Sequence, residues 1–175
     1  MQIEIFTEDS GTTADPESVQ QVKDYFKGGF LPVMDLANEI GQSGDVTIHI
    51  LSGEHGYLLG SDNVSKLNSS DDDGRSQVEF ERSLLQASST ADIIVVLLTT
   101  TTFEEIVTSE WENLVSNADL DSIWCFGASK GALSSVDIEQ LESRVNSVVL
   151  YQRVGVARID TETRQELIEA VTKRD

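Results

Sequence analysis

Residues 91–98, Ala-Asp-Ile-Ile-Val-Val-Leu-Leu, restrict the fold more than any other stretch. A continuous branched-aliphatic run has no polar face to turn towards water, so as a strand it must be covered on both sides. That places it at the centre of a mostly parallel sheet. Four threonines, Thr99 to Thr102, end the run. Thr102 with Glu105 has the spacing of a capping box for a helix carrying Trp111 and Leu114.

Shorter β-prone segments surround this strand at 2–6, 46–51, 122–126 and 147–151, with 154–159 extending the last or making an edge hairpin. Helical signals fall between them. Asp15-Pro16 starts a helix striped by Val19, Val22 and Phe26. Residues 31–40 carry Val33, Leu36, Ala37 and Ile40 at helical spacing. Val78, Phe80, Leu84 and Leu85 mark the third helix, and helices over 135–145 and 161–173 follow. The alternation has no internal repeat. It predicts an α/β protein: a single three-layer domain over 1–175, with a mostly parallel sheet of about five strands and helices on both faces.

Residues 60–75 are an acidic surface loop in this scheme. Asp71, Asp72 and Asp73 could form a calcium loop, but the ordered ligand spacing and closing bidentate acid of an EF-hand are absent, which favours solvated aspartates.

The charge balance narrows function. Thirty-one acidic residues face twelve basic ones, for a net charge of −19. The buried runs argue against acidic disorder. A folded core under a carboxylate-rich surface repels itself unless salt screens it, as in a halophilic cytoplasmic protein. The same charge argues strongly against nonspecific nucleic-acid binding, which needs basic patches. Cys125 is the sole cysteine, so no internal disulfide forms. No apolar run is long enough to span a bilayer and no signal-peptide pattern opens the chain.

In open parallel sheets, ligands bind outside the carboxyl ends of the strands. That rule gathers 7–13, 52–60, 99–102, 127–131 and 151–153 into one rim. Glu8, Asp9 and Ser10 line the first strand end. Ser52, Gly53, His55, Gly56 and Tyr57 follow the second, where glycines permit a sharp turn and His55 has the ordinary general acid–base chemistry of histidine. The alternative is a turn that Ser52 caps, with His55 packed on the surface. His49, inside the strand, reads as a histidine packed under a helix, and Cys125 as a small core residue.

Gly127-x-Ser129-x-Gly131 has the spacing of a nucleophile elbow, yet no histidine follows it in the chain. The plainer alternative is a glycine-rich turn. Neither a dinucleotide fingerprint nor a Walker loop occurs, and no His, Cys and carboxylate set has metal-ligand spacing, so no cofactor or metal is expected.

Ile50-Leu51-Ser52-Gly53-Glu54-His55-Gly56-Tyr57-Leu58-Leu59 resembles a family of small α/β proteins whose corresponding loop reads Leu-Ser-Ala-Lys-Tyr-Gly-Leu-Leu. Tyr25-Phe26-Lys27-Gly28-Gly29-Phe30 is similar to that family's Tyr-x-Gly segment before the same strand. The family is distantly similar to YaaA-like peroxide-stress proteins and to the core of archaeosine synthase, which works on a modified tRNA base. Glu54-His55 stand where the family has Lys-Tyr. The resemblance implies a nucleobase- or nucleoside-like ligand, and the strand-end rule places it with Ser52 and His55 activating it and Glu8, Asp9, Ser10, Gly53, Gly56, Tyr57 and Ser129 around it. Two alternatives stand beside this one. The first is a non-catalytic module or homodimer using the 154–159 edge and Trp111, and the second is a serine hydrolase using Ser129.

Overall fold

The computed structural model describes residues 1–68, 74–154 and 157–174. A six-stranded sheet runs in the order β3-β2-β1-β4-β5-β6. Its strands are β1 (Gln2–Glu8), β2 (Asp45–Ser52), β3 (Gly56–Leu59), β4 (Ile93–Leu97), β5 (Ile123–Ala128) and β6 (Ser147–Gln152). All neighbours pair in parallel except β2 with β3. The helices are α1 (Val22–Tyr25), α2 (Leu31–Ile40), α3 (Arg75–Thr90), α4 (Thr100–Phe103), α5 (Trp111–Asn117), α6 (Lys130–Leu133), α7 (Ile138–Glu142) and α8 (Thr161–Thr172). No helix among the described residues is long and apolar enough to cross a membrane.

The predicted α/β architecture is present, and β4 is buried along its whole length in the middle of the sheet. Alternation along the strands divides the core. Ile3, Ile5, Ile50, Ile93, Val95 and Cys125 face one side and pack with Phe30, α2 and α8. Phe6, Ile94, Val96, Trp124 and Phe126 face the other and pack with α3 and α5. Successive side chains on a strand point to opposite faces, so each layer of helices has its own set of partners.

Several expectations fail for local reasons. The loop read over 52–60 is a hairpin: Gly56 takes φ 75°, the left-handed conformation that a non-glycine residue rarely adopts, and the chain returns as β3. This makes six strands. The long first helix shrinks to a 3-10 turn (Pro16–Ser18), whose start Asp15 caps by accepting from the Glu17 N–H, and the short α1. Thr102 does not cap its helix; Thr99 occupies the N-cap position, and Thr102 donates to Glu8.

Part of the supposed 60–75 loop is a 3-10 turn (Val64–Asn68) that buries Leu67. Asp71, Asp72 and Asp73 lie outside the described residues. Residues 157–159 form no edge strand: Arg158 and Ile159 are buried, as is Trp111. Of the residues expected to form a homodimer surface, Arg158, Ile159 and Trp111 are buried, while Val154 and Ala157 are exposed.

Candidate functional site at the strand carboxyl ends

The sheet order reverses at β1. Its sequence neighbour β2 lies on one side and β4 on the other, so the position where open parallel sheets favour ligands lies beyond Thr7, Glu8 and Asp9. The strand ends here are linked by hydrogen bonds. Glu8 holds the start of α4: its Oε2 accepts from the Thr99 N–H at 2.5 Å, and its Oε1 accepts from the hydroxyls of Thr99 at 3.0 Å and Thr102 at 2.7 Å. A carboxylate beside the amino end of a helix is favourably placed against the helix dipole.

Asp9 turns the other way. Its Oδ2 accepts from Ser52 Oγ at 2.6 Å, and Ser52 Oγ in turn accepts from the backbone N–H of Glu54 at 3.3 Å and of His55 at 3.0 Å. Ser52 is buried and its hydroxyl is engaged on every side. It caps the hairpin turn and fastens it to β1.

The His55 ring does not touch that hydroxyl. Its Nδ1 donates to the Leu67 carbonyl at 2.5 Å, and its Nε2 lies 3.9 Å from Glu54 Oε2. The ring packs against Tyr25, with centroids 6.2 Å apart. Ser52 and His55 therefore share a turn without forming a nucleophile–base pair.

Arg158 completes the rim from 150 residues away. Its Nη1 donates to Thr7 Oγ1 at 2.6 Å and to the Glu8 carbonyl, and its Nη2 donates to the Asp9 carbonyl. The guanidinium also lies over the Phe30 ring, 5.9 Å from its centroid. Burial first, and the charge of Arg153 second, lower its pKa, while Glu8 and Asp9 oppose that shift. The group stays cationic because arginine starts so high. Its backbone passes directly over Gly127, where a side chain would strike the Arg158 carbonyl.

Ser129 lies on the β5 side of the rim, joined to the start of α4. Its Oγ accepts from Thr100 Oγ1 at 2.7 Å and from the Ala132 N–H at 3.1 Å, which makes it the N-cap of α6. Three strand spacings separate β5 from β2, about 14 Å, so neither histidine of the β2–β3 region reaches it. The nucleophile-elbow spacing at Gly127-x-Ser129-x-Gly131 is thus a capped turn.

Tyr57 also leaves the rim. Its hydroxyl lies 2.6 Å from His49 Nδ1 and 3.0 Å from Ser83 Oγ on α3. The predicted residues that do converge are Glu8, Asp9, Ser52 and the His55 turn, with Ser10 beside them: its Oγ accepts from the Thr12 N–H at 3.4 Å.

Sequence reasoning missed Arg158, although a lone charge inside Val154-Gly155-Val156-Ala157-Arg158-Ile159 is the mark of a buried ion. It also missed the partner of His49, because Glu4 lies 45 residues away and meets it only across the β1–β2 ladder. No family model matches the chain, and no curated protein matches it.

Proposed function

We propose that the protein binds a small nucleobase- or nucleoside-like molecule at the carboxyl ends of its strands. The observation that carries this reading is the chain from Asp9 through Ser52 to the His55 turn, set beside the buried Arg158 cation at the point where the sheet order reverses. Asp9 Oδ1 has no hydrogen-bond partner among the described residues and is suited to accept from a ligand amino or hydroxyl group. His55 Nε2, 3.9 Å from Glu54 Oε2, is the ring atom that contacts it.

Ser52 acts by positioning, since its own hydroxyl is spent on Asp9 and the turn. The resemblance of 50–59 to a small α/β family that is itself distantly similar to the archaeosine synthase core supports the ligand class. The excess of carboxylates supports a cytosolic setting of molar salt.

A panel of nucleobases and nucleosides, screened by thermal shift in molar KCl, tests this. A ligand that raises the melting temperature of the natural protein should lose its effect on Asp9→Asn and on His55→Ala, each compared with its own unliganded protein. The absence of any stabilising ligand, or an equal shift in both variants, overturns it.

A further inference from the structure

A second polar site lies about four strand residues, or about 13 Å, towards the amino end of β1. On the face covered by α3, Phe6 and the strands beyond it present aromatic and aliphatic side chains. The amino-terminal halves of β1 and β2 break that pattern. Gln2, Glu4, Thr47 and His49 all point to this face, with Glu4 opposite Thr47 and His49 opposite Phe6 in the ladder. The facing stripe of α3 breaks it too: Ser83, Gln86, Ala87 and Thr90 follow i, i+3, i+4, i+7 spacing, where a core helix would carry large apolar side chains. The two polar surfaces enclose a cleft of about 180 Å³.

One wall is a continuous hydrogen-bonded chain. Glu4 Oε1 accepts from Gln2 at 2.8 Å, and Glu4 Oε2 meets His49 Nε2 at 2.6 Å. A carboxylate only accepts, so His49 Nε2 donates to Glu4, and His49 Nδ1 lies 2.6 Å from the Tyr57 hydroxyl. The Tyr57 hydroxyl also lies 3.0 Å from Ser83 Oγ, which donates to the Glu79 carbonyl at 3.0 Å, and it borders the cleft. Phe6 stacks on His49 at 4.2 Å and 4°, which holds the imidazole in place. Stability alone gives no reason for such a chain, because replacing both partners of a buried hydrogen bond by apolar groups of the same shape is commonly near neutral or stabilising.

We propose that this cleft binds a small, neutral or cationic N–H-bearing heterocycle no larger than a single base. The Tyr57 oxygen accepts from the ligand, and Ser83 and Gln86 complete the polar contacts. The size limit follows from the volume, which is below that of drug-sized pockets. The charge preference follows from Glu4 in the wall, with Glu79 and Asp62 also acting on Tyr57. Burial, against the hydrogen bond to Ser83 and with these carboxylates, raises the phenol above its usual value, so it stays protonated.

Amide NMR of the full chain in molar KCl, titrated with cytosine, imidazole and acetate, tests the proposal. Cytosine or imidazole should move the resonances of Glu4, Thr47, His49, Ser83 and Gln86 saturably, and acetate should not. Tyr57→Phe should weaken binding about tenfold. Gln86→Leu, at an exposed helix position that leaves folding intact, should abolish it. Asp9→Asn should leave it unchanged, which separates this cleft from the strand-end site. No saturable shift with either base-sized probe, equal binding of acetate, or full binding by both Tyr57→Phe and Gln86→Leu would overturn it.

Discussion

Gly127→Ala tests how tightly the Arg158 segment is locked over the sheet. A Cβ at residue 127 would press into the Arg158 carbonyl oxygen and stand 2.7 Å from Leu97 Cδ2. Leu97 can rotate only into packed neighbours, because it is buried, and the carbonyl belongs to the backbone that aims the guanidinium. Overpacking of this kind costs about 1–3 kcal/mol. Displacing Arg158 also weakens three bonds from a charged donor, each worth about 1.5–3 kcal/mol when intact, and partial loss adds about 2 kcal/mol. The expected destabilisation is about 3–5 kcal/mol, a large share of the ~5–15 kcal/mol typical of a domain.

Urea unfolding in molar KCl measures it, with Arg158→Met and the double variant completing a cycle. The two substitutions should be less than additive by at least about 1 kcal/mol, because removing the guanidinium removes what Gly127→Ala displaces. Gly53→Ala is the control: nothing lies within 4 Å of its added carbon, and its effect should stay within about 0.5 kcal/mol. A Gly127→Ala protein as stable as the natural one, or strict additivity with Arg158→Met, would refute the locked segment.

Three further outcomes follow from the same structure. Tyr57 is held protonated in the fold, so its stabilising contribution is complete below the unfolded value near 10 and is lost as pH rises towards the higher folded value. Alkaline unfolding curves of Tyr57→Phe should accordingly be flatter above about pH 10 than those of the natural protein, and parallel curves would contradict the assignment. Burial pushes the Cys125 thiol up to about 12, so a thiol reagent at neutral pH should label it only after denaturation, and rapid native labelling would show the β5 core to be open. With a net charge of −19, the melting temperature should climb steadily with KCl into the molar range, and a salt-independent melt would remove the case for a halophilic surface.

Much of the architecture was legible because it depends on local pattern. The unbroken run at 91–98 could only be a central strand, and the 3.6-residue stripe at 31–40 could only be a helix with one buried side. Asp15 and Ser129 sit where side-chain oxygens cap helix starts, as residue type and spacing foretold for Asp15. The gathering of Glu8, Asp9 and Ser52 at strand ends also followed from chain order, since parallel connections bring those loops to one edge. The Ser52 cap was one of the two alternatives the sequence offered for that turn.

What tertiary structure decided was which groups meet. Only the β1–β2 register brings Glu4 to His49, only the hairpin turn at Gly56 aims Tyr57 at α3, and only the return of the chain over Gly127 delivers Arg158 to β1. Each is a contact between residues far apart in sequence, made when burial selects a partner for a charge or a hydroxyl that would otherwise go unsatisfied. The sequence by itself determined the layers and the strand-end rim. Long-range packing decided that Ser52 is a tether, that His55 stands apart from it, and that a second polar cleft opens under α3.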